Sequence, residues 1–272
     1  MRIRTGIGIV IGLFAAWAVL EAQKPFQEYP AIEYGNFPLP PDYKTPHEWT
    51  RARLRYPDVT GYGQGMGIEL RFPGYWTMDY PRSDRHLLTG VRRLTRIDSR
   101  SAEQVVTLDG TDDVYNWPVM YGVEVGHWVL NEAQAKQLHE YLMRGGFLMV
   151  DDFHGTQEWQ VFETSLKRVF PDRPWDDIPA EHPIFHTLYD ITDRMQIPGA
   201  QFLETGSVSE KGGVEPHWRS VSDDKGRVVV AICHNMDMGD AWEHSDNPEY
   251  PEKYASLAYR IAMDYFVYDL TH

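Results

Sequence analysis

The sequence predicts an α/β fold: a mainly parallel sheet covered by helices on both faces. Three observations carry this reading. Two strand-length runs, Phe147–Val150 and Val228–Cys233, are apolar throughout, as strands are when helices bury both faces of a parallel sheet. Between such runs lie stretches with apolar residues at helical spacing, so strands and helices alternate along the chain. The length of 272 residues, with 42% hydrophobic and 24% charged residues, suffices for one sizeable domain with an ordinary core.

The first 22 residues stand apart. Arg2 and Arg4 precede an apolar run from Ile7 to Leu20, followed by Glu21 and Ala22, the pattern of a secretory signal peptide cleaved after Ala22. The run is shorter than the roughly 20 apolar residues of a membrane span. Export to the periplasm is expected, with an uncleaved anchor facing the periplasm as the competing reading. Residues 23–48 carry Pro25, Pro30, Pro38, Pro40, Pro41 and Pro46 and show no helical or strand period, so a Pro-rich tether is expected there. The α/β domain spans 49–272.

Within it, Arg51 to Tyr56 alternates in the manner of a strand, with Ala52, Leu54 and Tyr56 on one face. Ser83 to Arg96 sets Leu87, Leu88, Val91 and Leu94 at helical spacing, with Ser83 placed to cap the helix. Gln104 to Leu108 and Pro118 to Gly122 are short strands. Asn131 caps a helix running to Arg144, with Ala135, Leu138 and Leu142 as its inner stripe and Gly145-Gly146 as its stop. After the strand Phe147–Val150 comes a helix from Glu158 to Phe170, ended by Pro171. Residues 171–226 are irregular and rich in Pro and Gly, an excursion expected to hold a few short antiparallel strands. Arg227 to Cys233 is the strongest strand, and Glu252 to Tyr268 the last helix. The glycine-rich run from Gly61 to Gly67 lacks the Lys-Ser/Thr pair of a phosphate loop and is expected to be a flexible loop.

Composition excludes several function classes. With 26 Lys and Arg against 40 Asp and Glu, the formal net charge is −14, the opposite of a nucleic-acid-binding face. The single cysteine, Cys233, excludes an intrachain disulfide and a cysteine-based zinc site, and its place in an apolar strand predicts an inert buried thiol. The G-x-S-x-G elbow, Walker A, strand-linked G-x-G-x-x-G and H-E-x-x-H patterns are missing.

Ligands of open parallel α/β sheets bind outside the C-terminal ends of the strands, so the residues after each strand matter most. Phe147–Val150 runs into Asp151-Asp152-Phe153-His154, and the strand ending at Cys233 runs into His234-Asn235-Met236-Asp237 and on to Asp240, Trp242 and Glu243. Asp151 continues an apolar strand, where a charge needs a partner, a hydrogen bond or a metal; capping of the next helix is the structural alternative. These segments are expected to converge at one edge of the sheet. Glu158 and Trp159 lie on the helix that follows His154, while His217, Trp218 and Arg219 offer an imidazole, an indole and a guanidinium suited to an anion or a sugar hydroxyl. Trp76 to Pro81 stands ready to wall the same mouth. In His182-Pro-Ile-Phe-His186 the proline disfavours a metal-binding helix face, so a turn with one ring satisfied by backbone is expected.

Taken together, the run Tyr141-Leu-Met-Arg-Gly-Gly-Phe-Leu-Met-Val-Asp-Asp-Phe-His-Gly155, Glu158-Trp159, Arg168-Val-Phe-Pro171, Trp76-Thr-x-Asp-Tyr-Pro81, His182-Pro-Ile-Phe-His186 and His234-Asn-x-Asp237 closely resemble the bacterial family called domain of unknown function 4159. The resemblance runs from about Arg51 to His272. It implies a class I glutamine amidotransferase-like, flavodoxin-like fold, and no established activity. A weaker resemblance is to trehalose-utilisation (ThuA-like) domains. Amidotransferases of this fold need a cysteine nucleophile at a strand-to-helix elbow; here that strand ends in Asp151-Asp152, so glutamine hydrolysis by a thiolate is excluded.

The expected function is thus a ligand-binding domain, and if catalytic a hydrolase of carbohydrate-like substrates. Asp151 or Asp152 would serve as base or metal ligand, His234 as acid, and Arg219 would steady an anionic group. His154, Glu158, Trp159, His217, Asn235, Asp237 and Trp242 would contribute to binding. The cofactor is left open, a divalent metal among the options. The competing reading is a non-catalytic module at the cell envelope whose aromatic surface meets a protein partner.

Overall fold

The computed structural model describes residues 24–35, 37–58 and 73–272. The signal-peptide segment 1–22 and the glycine-rich run 61–67 lie outside the described residues.

Among the described residues seven strands form one sheet: β1 (Arg51–Arg55), β2 (Gln104–Thr107), β3 (Val119–Val123), β4 (Phe147–Asp151), β5 (Asp176–Asp177), β6 (His217–Ser222) and β7 (Val228–His234). Their spatial order is β2-β1-β3-β4-β7-β6-β5. The first five in that order run parallel, and β6 and β5 are antiparallel additions from the irregular 171–226 region. The parallel part, β2-β1-β3-β4-β7, is compatible with a flavodoxin-like arrangement, in which the strand order reverses between β1 and β3.

Helices α1 (Arg82–Leu94) and α6 (Glu252–Thr271) and the short α5 (Met238–Glu243) cover one face, and α2 (Glu132–Met143) and α3 (Gly155–Val169) cover the other. A further short helix, α4 (Gln201–Thr205), lies in the excursion. Each apolar strand therefore feeds two cores. In β4, Phe147 and Met149 point to the α1/α6 side while Leu148 and Val150 point to the α2/α3 side. Asn131 caps α2 as expected, its side chain accepting from the Gln134 amide while the Gln134 side chain accepts from the Asn131 amide, both at 3.0 Å. Gly146 follows α2 so closely against the Tyr141 ring that a Cβ there would collide with it.

Three expectations need correction. Ser83 does not cap α1: it sits buried inside the first turn, and Pro81 holds the cap position without a side-chain bond. Leu94 is not part of the inner stripe but is 44% exposed at the fraying end of the helix. And β1 is not half-exposed: Arg51 and Arg53, between Ala52 and Leu54, are as fully buried as their apolar neighbours.

Two buried arginines in a central strand require compensation. Asp84, in the first turn of α1, supplies it. Its Oδ1 accepts from Arg51, and its Oδ2 lies 2.9 Å from Arg53 Nε and 2.7 Å from Arg53 Nη2. Burial alone would raise the Asp84 carboxyl, but the two guanidiniums outweigh it and hold the group below the usual carboxylate range. Arg53 Nη1 also donates to the carbonyls of Trp76 and Met78, both at 3.0 Å. One strand thereby fixes both the start of α1 and the turn that precedes it.

Residues 24–35 and 37–48 contain no helix or strand, in keeping with their prolines, and lie along the domain. Lys24 Nζ pairs with Asp109 at 2.6 Å, Arg85 donates to the Phe37 carbonyl and to Glu28, both at 2.7 Å, and Glu33 accepts from the Asp79 amide at 2.9 Å. No helix among the described residues is long and apolar enough to cross a membrane.

Asp84→Asn is expected to destabilise the domain by about 3–5 kcal/mol in urea denaturation, because it leaves two buried guanidiniums without their counter-charge. Arg92→Ala, which breaks the more exposed 2.8 Å pair with Asp42, should cost no more than about 1 kcal/mol. Equal effects would refute this ranking.

Candidate functional site

The C-terminal ends of the parallel strands β1, β3, β4 and β7 lie along one edge of the sheet, and the residues that follow β3, β4 and β7 converge there. A cavity of about 420 Å³ opens at this edge, lined by the carboxyl groups of Glu33, Asp79, Glu124, Asp152, Glu210, Asp237, Asp240 and Glu243 together with Tyr34, Met78, Ala200, Gln201 and His244. Glu124 follows β3 directly, Asp152 follows β4, and Asp237 leads from β7 into α5. Asp79 comes from the turn held by Arg53, and Glu33 from the proline-rich segment lying across the domain.

Local bonds orient these groups. Asp237 caps α5, its Oδ1 accepting from the Asp240 amide at 2.7 Å. Asp240 Oδ2 accepts from the Ala200 amide, and Glu243 from the Tyr34 hydroxyl. Asp152 Oδ1 lies 3.3 Å from His154 Nε2, with the Asp152 amide donating to the Met236 carbonyl at 2.9 Å. Two glycines make room: a Cβ on Gly239 would strike the Asp79 carboxylate, and one on Gly199 would strike those of Asp237 and Asp240. Asp79 Oδ2 is buried and has no hydrogen-bond partner among the described residues.

The electrostatics are those of crowded like charge, offset in part by Lys211 near Asp152 and Arg53 near Glu33. Burial, and then the neighbouring carboxylates, push Asp79, Asp152 and Asp237 well above the usual range, and Glu243 up to about 8. Among the described residues the cavity lining contains no Lys or Arg. One oxygen each from Asp79, Asp237 and Asp240 lies within 4.8 Å of the others, and so do Glu33, Asp79 and Glu243, and again Asp240, Glu243 and His244. At that separation two ionised carboxylates repel by roughly 3 kcal/mol in an effective dielectric of about 20. Shared protons or a bound cation must relieve this, and the trios are the groups able to hold a metal ion. A neighbouring trio, Glu124, His127 and Glu158, already has its cation: Lys211 Nζ sits 2.7 Å from Glu158 and 3.8 Å from Glu124.

The residues singled out in the sequence divide into three sets. Asp152 and Asp237 line the cavity, and His154 and Glu158 stand behind it, Glu158 accepting from the His154 amide at 2.6 Å. Asp151, Asn235 and Trp242 serve as framework. Asp151 is fully buried, and its Oδ2 accepts from the amides of Met238 (2.6 Å) and Gly239 (3.2 Å), tying down the start of α5. Burial pushes its carboxyl up to about 6. Asn235 bridges the loops, accepting from the Gly155 amide at 2.8 Å and donating to the Glu215 carbonyl at 2.7 Å. Trp242 is turned into the core against Tyr121 and Arg51, so its ring offers no face to a ligand. The third set forms a stack away from the cavity. The His234 ring lies 4.9 Å from Trp159 and 5.6 Å from His217, and Arg219 lies over Trp159 at 4.6 Å while pairing with Asp177 at 3.1 Å. His234 Nε2 is bonded to the Gly155 carbonyl at 3.2 Å, so it does not reach into the cavity as an acid, and Arg219 is already engaged. Trp218 is buried, with its indole N–H on the Arg194 carbonyl.

Sequence reasoning did not single out Asp240, Glu243 and His244 as site residues, although the spacing Asp237-x-x-Asp240-x-x-Glu243 sets carboxylates one helical turn apart. Asp79 entered only as part of a wall, and Glu33, which reaches the cavity from 46 residues before Asp79, left no local signal. The His182–His186 segment is a turn as read: His186 Nε2 bonds the Ala180 carbonyl, and His182 Nδ1 accepts from the Ile184 amide.

Residues 62–270 match the family described as Domain of unknown function (DUF4159), and the chain belongs to that family. No curated protein matches it.

Burial holds the His234 ring at about 4 instead of the ordinary 6.5. Between those values the unfolded chain binds a proton that the folded one refuses, so the ring's share of stability is full above pH 6.5 and is lost as pH falls toward 4. The raised cavity carboxylates act in the opposite sense, so the informative quantity is the difference between wild type and His234→Gln. Urea denaturation at pH 7 and pH 4.5 should show the variant losing about 2 kcal/mol less than wild type, allowing for the solvent that still reaches the ring. Parallel losses would disprove it.

Proposed function

Taking the chain as a member of that family, we propose that it is an exported ligand-binding domain whose acidic cavity takes a small hydroxyl-rich, carbohydrate-like molecule and acts on it as a hydrolase. The observation that supports this reading is the cavity itself: about 420 Å³, at the strand ends where such sheets bind ligands, and lined by carboxylates. Sugar hydroxyls are donors in search of acceptors, and carboxylates are the strongest acceptors a protein offers. Hydrolysis of a glycosidic bond needs one carboxyl to protonate the leaving oxygen and a second to assist water or the sugar carbon. Asp152, with His154 Nε2 at 3.3 Å, is a lining carboxyl with an imidazole beside it, as is Glu124 with His127 Nδ1 at 3.0 Å.

Amidotransferase chemistry has no support, since Cys233 is buried within β7 and burial pushes its thiol well up. The envelope-scaffold reading is the alternative: some lining carboxylates are paired, Glu124 with Lys211 at 3.8 Å and Asp152 with His154 at 3.3 Å, while Asp79, Asp237 and Asp240 crowd one another. Trp242 and Trp218 are buried and offer no face to a sugar, so the reading rests on the carboxylates. Export rests on the charged start and apolar run of residues 1–22.

A panel of monosaccharides, disaccharides, uronic acids and polyols, screened by thermal shift with and without divalent cations, should yield at least one compound that raises the melting temperature of wild type and not of Asp152→Asn. The same compound, presented as a glycoside, should release reducing sugar in wild type only. A folded wild type that responds to no member of the panel would return the scaffold reading to first place. Mature protein from the native host should begin near Gln23, and an intact Met1 on cytoplasmic protein would overturn export.

A further inference from the structure

We infer that Asp79, Asp237 and Asp240 form the binding site of one hard divalent cation, flanked by Glu33 and Glu243. The trio brings one oxygen from each carboxylate within 4.8 Å of the others, the spread that opposite and adjacent ligands show around an ion bound at about 2.1–2.4 Å. Asp79 supplies the independent mark of a missing partner. It is 2% exposed, it lines the cavity, and its Oδ2 has no hydrogen-bond partner among the described residues. Buried polar atoms are almost always satisfied, and an orphaned oxygen on a carboxylate grouped with two others calls for a positive charge.

The surroundings hold the ligands for such an ion. Asp79 is placed by the bonds from Arg53 to the Trp76 and Met78 carbonyls, with its backbone in the left-handed region. Asp237 and Asp240 each give one oxygen to a backbone amide, which fixes their rotation and leaves the other oxygen for the cavity. Gly199 and Gly239 leave the space those carboxylates occupy. The all-oxygen set selects a hard ion, Mg²⁺, Mn²⁺ or Ca²⁺, over the softer metals that thiolates and imidazoles hold. A cation there would also offer two or more open positions to vicinal hydroxyls, which ties this inference to the ligand class proposed above.

The inference rests on the same cavity as the proposed function and is tested with the metal alone, so the two fail separately. Chain freed of metal with EDTA is titrated with Mn²⁺, and free Mn²⁺ is read by its electron paramagnetic resonance signal. About one Mn²⁺ per chain should bind, displaced by Ca²⁺ or Mg²⁺. Asp79→Asn should weaken binding roughly 10- to 100-fold, and Asp224→Asn, on the exposed pair with Arg173, should not change it. In EDTA, Asp79→Asn should melt at or above wild type, because it removes a repelling charge; in Mn²⁺ it should melt below wild type. A purely structural aspartate would lower the melting temperature in both. If Asp79→Asn does not fold, Asp240→Asn reads the same loss. A folded wild type that binds no Mn²⁺, or undiminished binding in these variants, overturns the inference whatever the sugar panel shows.

Discussion

The pairing of Arg51 and Arg53 with Asp84 fastens β1 to the first turn of α1, and Arg53 also fastens the turn before it. This pairing places two positive charges inside the central sheet, a few residues from a cavity crowded with negative ones. Arg53 spans both roles, since the guanidinium that meets Asp84 also grips the carbonyls before Asp79. The Asp79 carboxylate adds to the charge that Arg53 feels, so the buried arginine stabilises the acidic site from beneath without entering it. The start of α1, the turn leading into it and one wall of the cavity thus share a single electrostatic origin.

That origin is also where local reading of the sequence stops. Strands such as Phe147–Val150 and Val228–Cys233 are legible because burial on both faces writes itself as an unbroken apolar run. Arg51-Ala-Arg-Leu-Arg55 reads as a strand with one wet face, because nothing nearby shows that Asp84, 31 residues beyond Arg53, will neutralise it. The missing cap at Ser83 has a related cause. Asp79 and Pro81 bring the chain into α1 from a turn already fastened elsewhere, and the serine falls two positions too late to cap.

The site shows the same division. The strand-end rule locates Asp152 and Asp237, because topology alone delivers them to the mouth. It does not say which way a side chain turns. Asp151, one residue before Asp152, accepts from the amides that open α5, and Trp242 packs into the core against Tyr121. His234 and His217 pair as neighbours in the β6–β7 register and stack on each other, with Trp159 tilted against the His234 ring, which draws them off to a separate cluster. Glu33 is invisible to any local rule, since a proline-rich segment with no period of its own brings it in.

Three residues that line the cavity, Asp79 (φ 59°), Glu124 (φ 50°) and Asp152 (φ 52°), and the loop-bridging Asn235 (φ 64°) adopt the left-handed backbone that only glycine takes without cost. Each holds about 1 kcal/mol or more of strain that the surrounding hydrogen bonds must overcome. Glycine at any of them would relax the backbone while erasing the group that the turn exists to present. Stability and the presented side chain therefore make opposing demands at these positions.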